Sequence, residues 1–133
     1  MRKTITSQAI ERKTVNRFLD KIKTPNNIDE FPQVIQNQMQ YEVKRDRVLV
    51  EVLYITASRI SETLQLRKKD FNFTQKNSRL YEIDMINLKN KGRETKHIGF
   101  PADDSFSNEI KDYVKKLKKN MILINQGQIL QLD

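Results

Sequence analysis

The sequence predicts an α+β domain, mostly helical, in which helices precede a three-stranded antiparallel β-meander and one more helix closes the order. Three observations carry that expectation. Apolar residues recur at helical spacing near the start, at Val15, Phe18, Leu19 and Ile22. Beyond Asp70 the period changes to two, with Tyr81, Ile83 and Met85 alternating against Glu82 and Asp84. After Pro101 the helical spacing returns at Ile110, Tyr113, Val114 and Leu117. Helices, then strands, then a helix, without strand–helix alternation, mark the α+β class.

The first helix stops at Thr24-Pro25-Asn26-Asn27, a turn-forming cluster. A second is expected to start near Asp29 with Pro32 in its first turn, showing Phe31, Val34, Ile35 and Met39 on one face. Residues 48–55 form a short apolar run whose periodicity fits a buried helix and a buried strand equally, the valines favouring strand. Ser58 is the expected N-cap of a short helix through Leu66, with Ile60 and Leu64 facing inward. Strands follow at residues 70–73, around Tyr81 to Met85, and at 96–100, with polar turns at 75–78 and 89–94.

At 133 residues the chain reads as a single domain over residues 1–133, large enough for a hydrophobic core. The tail, residues 120–133, holds two small apolar clusters split at Gly127, and its order is left open. A formal net charge of +8 points to a polyanionic partner, nucleic acid ahead of an anionic membrane. The competing reading is a solubilising surface. Cysteine is absent, which excludes disulfides and thiolate metal sites, and His97 is the single histidine, which excludes a histidine metal cluster within one chain. No apolar signal core follows Met1-Arg2-Lys3, and residues 48–55 are too few to cross a bilayer. The expectation is a soluble, cytoplasmic, DNA-associated protein.

Arg59 is the first candidate for chemistry. It stands where an apolar run ends and a helical pattern begins, and a guanidinium fork there matches phosphate oxygens two at a time. Glu62, three residues later, is spaced to hold that guanidinium. From spacing alone an ordinary surface Arg–Glu pair is the favoured reading, since such pairs are common.

The wider pattern adds a resemblance. Arg45-Asp46, Tyr54, Thr56, Arg59, Ile60, Ser61, Glu62, Leu66 and Asp70-Phe71, followed by residues 89–101, resemble the catalytic domain of tyrosine recombinases, the phage-integrase family. Members typically show an Arg-Asp pair, a buried helix ending Tyr-x-Thr-Gly, then x-Arg-[Ile/Val]-Ser-Glu-Leu and Asp-[Ile/Phe]. A hairpin turn reading Gly-Lys-Gly follows, leading to a short strand that closes with proline. The resemblance spans residues 10–120 and favours helix for residues 48–55.

It implies roles residue by residue. Arg59 corresponds to the first catalytic arginine, which contacts the scissile phosphate, and Glu62 to its supporting carboxylate. Lys91 corresponds to the hairpin lysine that protonates the leaving 5′ oxygen, with Lys89 as the alternative register. Arg59, Lys89, Lys91, Arg93 and Lys96 form the implied DNA-contact set. The implied partner is double-stranded DNA, cut and rejoined through a 3′-phosphotyrosyl link during DNA integration and recombination. No metal or nucleotide cofactor and no membrane enter that chemistry. Further implied partners are a matching C-terminal half or other recombinase protomers.

Departures limit what the resemblance implies. Ala57 stands for the family glycine, the turn reads Asn90-Lys91-Gly92, and residues 25–43 are longer than in compact members. These 133 residues contain no His-x-x-Arg box. None of the four tyrosines suits the nucleophile: Tyr54 and Tyr81 fall on core positions, Tyr113 on the inner face of the last helix, and Tyr41 at the end of a helix before the motif. His97 reads as a structural or DNA-proximal strand residue. The expectation is the N-terminal half of a catalytic domain, inactive alone: an excised fragment, half of a split gene or a relic of a mobile element.

Lys115-Lys116-Leu117-Lys118-Lys119 fits either a DNA-backbone contact or a solvated helix end. Asp103-Asp104 lacks the spacing of a calcium loop, and no Gly-rich phosphate loop or Ser–His–Asp set is present. The leading function is an integrase-like DNA-binding protein. The alternatives are a non-catalytic DNA-binding or regulatory module reusing the fold, and a small basic RNA- or protein-binding domain.

Overall fold

Helical spacing at the start produces α1, Arg12–Asp20, which buries Val15 and Leu19. Phe18, expected beside them, is 54% exposed. The computed structural model describes residues 10–74, 79–87, 94–118 and 121–124. A 3-10 turn, Ile28–Glu30, takes the place of the helix start expected at Asp29. Pro32 then stands as the N-cap of α2 rather than inside its first turn.

The two helices expected between Asp29 and Ile55 are one. Helix α2 runs unbroken through Gln33–Thr56, 24 residues, or about 36 Å at 1.5 Å per residue. Tyr41 therefore lies within a helix, not at its end. No glycine or proline interrupts the stretch, and Gln, Glu, Lys and Arg fill its middle. Once those turns exist, adding Val48 to Ile55 costs far less than nucleating a strand there. Only Val48, Glu51 and Val52 of α2 are buried, and Val34 and Ile35 near its start are exposed.

Helix α3 is a single turn, Ile60–Thr63, with Arg59 as N-cap in place of the expected Ser58. It buries Glu62 and Thr63, whereas Ile60, expected inward, is 50% exposed. A second 3-10 turn, Lys68–Asp70, leads into β1, Phe71–Asn72. Strands β2, Leu80–Asn87, and β3, Glu94–Pro101, complete an antiparallel sheet in the order β1-β2-β3. Phe71 pairs with Ile83, Ile83 with Ile98, and Met85 with Lys96. Tyr81, Ile83 and Met85 face the core as the alternation requires, and Glu82 and Asp84 face out. Helix α4, Ser105–Lys116, starts where the Asp104 carboxylate accepts the Phe106 N–H at 2.8 Å.

The main core lies between the sheet, α2 and α4, and includes Val52, Ile83, Met85, Phe100 and Ile110. A smaller cluster of Val15, Leu19 and Phe106 seats α1 against α4. The chain after α4 folds back beside α3, with the Leu123 N–H donating to the Leu66 carbonyl at 2.7 Å. Among the described residues no helix is long and apolar enough to cross a membrane.

Candidate functional site

Helix α2 ends because Ala57 takes the left-handed conformation, φ 53° and ψ 32°. It is the one non-glycine residue with positive φ among the described residues. A left-handed residue just past a helix is ordinarily glycine, since a Cβ there crowds the carbonyl. The glycine that the motif pattern carries at this position thus has a conformational reason, and the alanine here accepts strain to make the same turn.

Hydroxyl groups then fix the path to Arg59. Thr56 Oγ1 contacts the Val52 carbonyl at 2.6 Å and Ser58 Oγ at 2.7 Å, and Ser58 Oγ reaches Thr63 Oγ1 at 2.7 Å. Thr63 Oγ1 also donates to the Arg59 carbonyl at 3.1 Å. Three hydroxyl protons serve four contacts, so the network shares them. Its spacing at residues 56, 58 and 63 was readable in sequence as a hydroxyl set, although Ser58 alone suggested only a cap.

Glu62 closes the arrangement from below. Its side chain is 1% exposed. One carboxylate oxygen accepts the Arg59 backbone N–H at 3.4 Å and the Lys96 ammonium at 2.8 Å. Glu62 thereby supports Arg59 through the main chain. The Arg59 residue is exposed and makes no ion pair among the described residues. The guanidinium is a cation in solvent on a backbone held by buried groups. Helix α3 is too short for its dipole to add much, so the side chain supplies the charge.

Lys96, expected among the DNA contacts, is 35% exposed and engaged with Glu62. It shares the inward side of β3 with Ile98 and Phe100, while His97 points to the other side and meets Asp84. Lys89, Lys91 and Arg93 lie outside the described residues, as do the expected turn at residues 75–78 and the tail from residue 125.

The tyrosines have packing roles. Tyr113 is buried and donates to the Leu123 carbonyl at 2.8 Å. Burial, then the adjacent Tyr41 hydroxyl, raises its phenol above the ordinary tyrosine value, which keeps it protonated. Tyr81 is buried against Phe100, and Tyr54 meets Phe106 edge-on at 5.9 Å. No group of three His, Cys, Asp or Glu side chains able to hold a metal occurs among the described residues.

The family model described as the phage integrase family matches residues 8–131. The chain belongs to the phage integrase family. Its function is accordingly of the integrase–recombinase kind, and DNA is the partner that family membership implies. No curated protein and no solved structure matches the chain. Two further motif positions of this integrase-family domain have local explanations. The Arg45 guanidinium pairs with the adjacent Asp46 at 3.0 Å. Asp70 closes the turn before β1 by accepting the Arg67 N–H at 2.8 Å.

Proposed function

We propose that this chain is the DNA-binding N-terminal half of a tyrosine-recombinase catalytic domain, in which Arg59 grips the phosphate at the strand-exchange site. The observation that carries the reading is the exposed Arg59 side chain on a main chain fixed by the buried Glu62 carboxylate. A guanidinium offers a two-pronged donor to phosphate oxygens, and a pre-set backbone lowers the cost of aiming it. Lys91, or Lys89 in the alternative register, would protonate the leaving 5′ oxygen from the hairpin turn, with Arg93 adding backbone affinity.

In the same reading the chain binds duplex DNA without cutting it. Its residues include no His-x-x-Arg box, and Tyr113 and Tyr81 are buried in packing. A matching C-terminal half would bring the remaining arginine and the nucleophile.

The test is DNA affinity across a salt series. Arg59→Ala is expected to weaken binding and reduce the slope of log affinity against log salt by about 0.9, the signature of one lost phosphate contact. Equal binding by both proteins at every salt concentration would remove Arg59 from the interface. A nicked suicide duplex should yield no covalent adduct with this chain alone, and an adduct here would overturn the half-site reading.

A further inference from the structure

The sequence groups Lys96 with Lys89, Lys91 and Arg93 as DNA contacts. Along β3 the side chains at 96, 98 and 100 are the less exposed set, alternating with exposed Thr95, His97 and Gly99. Lys96 thus occupies a core-facing register position, opposite fully buried Met85. Its ammonium ends 2.8 Å from Glu62 Oε1, a carboxylate that is itself 1% exposed. The same oxygen accepts the Arg59 N–H. One carboxylate oxygen therefore joins β3 to the backbone of Arg59, with Glu62 and Lys96 34 residues apart in sequence.

We infer that Lys96 is a positioning residue for the phosphate site, acting through Glu62 on Arg59 and making no phosphate contact of its own. Removing one partner of a buried ion pair costs far more than removing a surface charge. Lys96 brings its cation to Glu62 from the sheet. Lys96 stands two residues inside β3, which begins at Glu94. The clamp itself is a property of the fold, and its link to DNA rests on the reading of Arg59 given above.

Two measurements on the full chain decide it. The first is a double-mutant cycle in urea denaturation with Lys96→Met, Glu62→Gln and the double variant. The expected result is a lowered unfolding midpoint for Lys96→Met that Glu62→Gln largely restores. Additive effects would refute the clamp. The second is the salt dependence of binding to a generic duplex. Lys96→Met weakens binding in the wild-type chain but has no further effect on affinity or slope in an Arg59→Ala background. A slope reduced by about a further 0.9 in that background would make Lys96 a phosphate contact and overturn the inference. If Lys96→Met does not fold, the pair Lys96→Met with Glu62→Gln replaces it in the same comparison, where the same two outcomes apply. If the wild-type chain binds no duplex, the DNA reading of Arg59 fails, while the denaturation cycle still decides the clamp.

Discussion

The Asp104 carboxylate receives both arms of the Arg12 guanidinium, at 2.6 and 2.9 Å, across 92 residues of sequence. The same carboxylate caps α4 through the Phe106 N–H, and the guanidinium lies 3.6 Å from the centre of the Phe106 ring. One ion pair thus joins the first described helix to the start of the last and covers the smaller apolar cluster.

Asp104→Ala is expected to destabilise the fold by about 2 kcal/mol, the sum of a lost N-cap and a lost charge-assisted pair on a partly exposed surface. Asp104→Asn keeps the cap and should cost about half as much. Hydrogen bonding from Arg12 lowers the Asp104 pKa below its ordinary 3.8. The carboxylate contribution is therefore complete above that pH and is lost as pH falls through the lowered value. Urea denaturation on the acid side should show that loss in the wild type and not in Asp104→Asn.

Glu51 works in the opposite direction. It is fully buried on α2, and neither carboxylate oxygen has a hydrogen-bond partner among the described residues. Burial first, then the neighbouring Glu109 carboxylate, pushes it from 4.5 up to about 8, with Arg47 at 3.8 Å offsetting part of the effect. The folded state holds a proton that the unfolded state releases, so stability is full below pH 4.5 and declines as pH rises toward 8. Glu51→Gln is expected to flatten that decline and to raise stability at about pH 9 by a few kcal/mol, since a tenfold difference in proton affinity between the folded and unfolded chain is worth about 1.4 kcal/mol. A steeper alkaline decline in Glu51→Gln than in wild type would refute this account.

Ala57→Gly relieves a left-handed alanine and is expected to stabilise the chain by about 1 kcal/mol, despite the greater freedom of glycine in the unfolded chain. Ala57→Val should lower stability by more than that gain. Thermal midpoints of the two variants, taken against wild type, check both signs.

Tyr113→Phe removes the hydrogen bond to the Leu123 carbonyl and the contact with Tyr41 Oη at 3.3 Å, at an expected cost of about 1 kcal/mol. Amide exchange should quicken at Leu123, whose N–H bonds back to Leu66. Exchange at β2 should not change beyond the global loss of stability.

Much of this architecture was legible in the sequence because periodicity reports which face is buried. Tyr81, Ile83 and Met85 on β2, and Ile110, Tyr113 and Val114 on α4, pack as their spacing requires. The length of α2 was not legible. Val34 and Ile35 mimic the inward face of a separate helix although they are exposed, and valines at 48, 50 and 52 mimic a strand. At the candidate site, the spacing predicts Glu62 at the Arg59 guanidinium, whereas the described contact is with the Arg59 backbone N–H. Spacing on a helix speaks of side chains, whereas Glu62 reaches the backbone at an N-cap. The link to Lys96 depends on how the sheet packs over α3, which no local pattern encodes. The alternation of Lys96 with Ile98 and Phe100 was the available clue.

Helix α2 has a mechanical consequence. Its buried residues, Val48 to Val52, act as a fulcrum close to one end. From their midpoint, residue 50, Gln33 is about 26 Å away and Thr56 about 9 Å, at the rise of an α-helix. A rigid tilt that swings the far end by about 4 Å therefore shifts the near end by only about 1.4 Å. The mount of Arg59 sits on the short arm of this lever, sheltered from whatever collides with the long one.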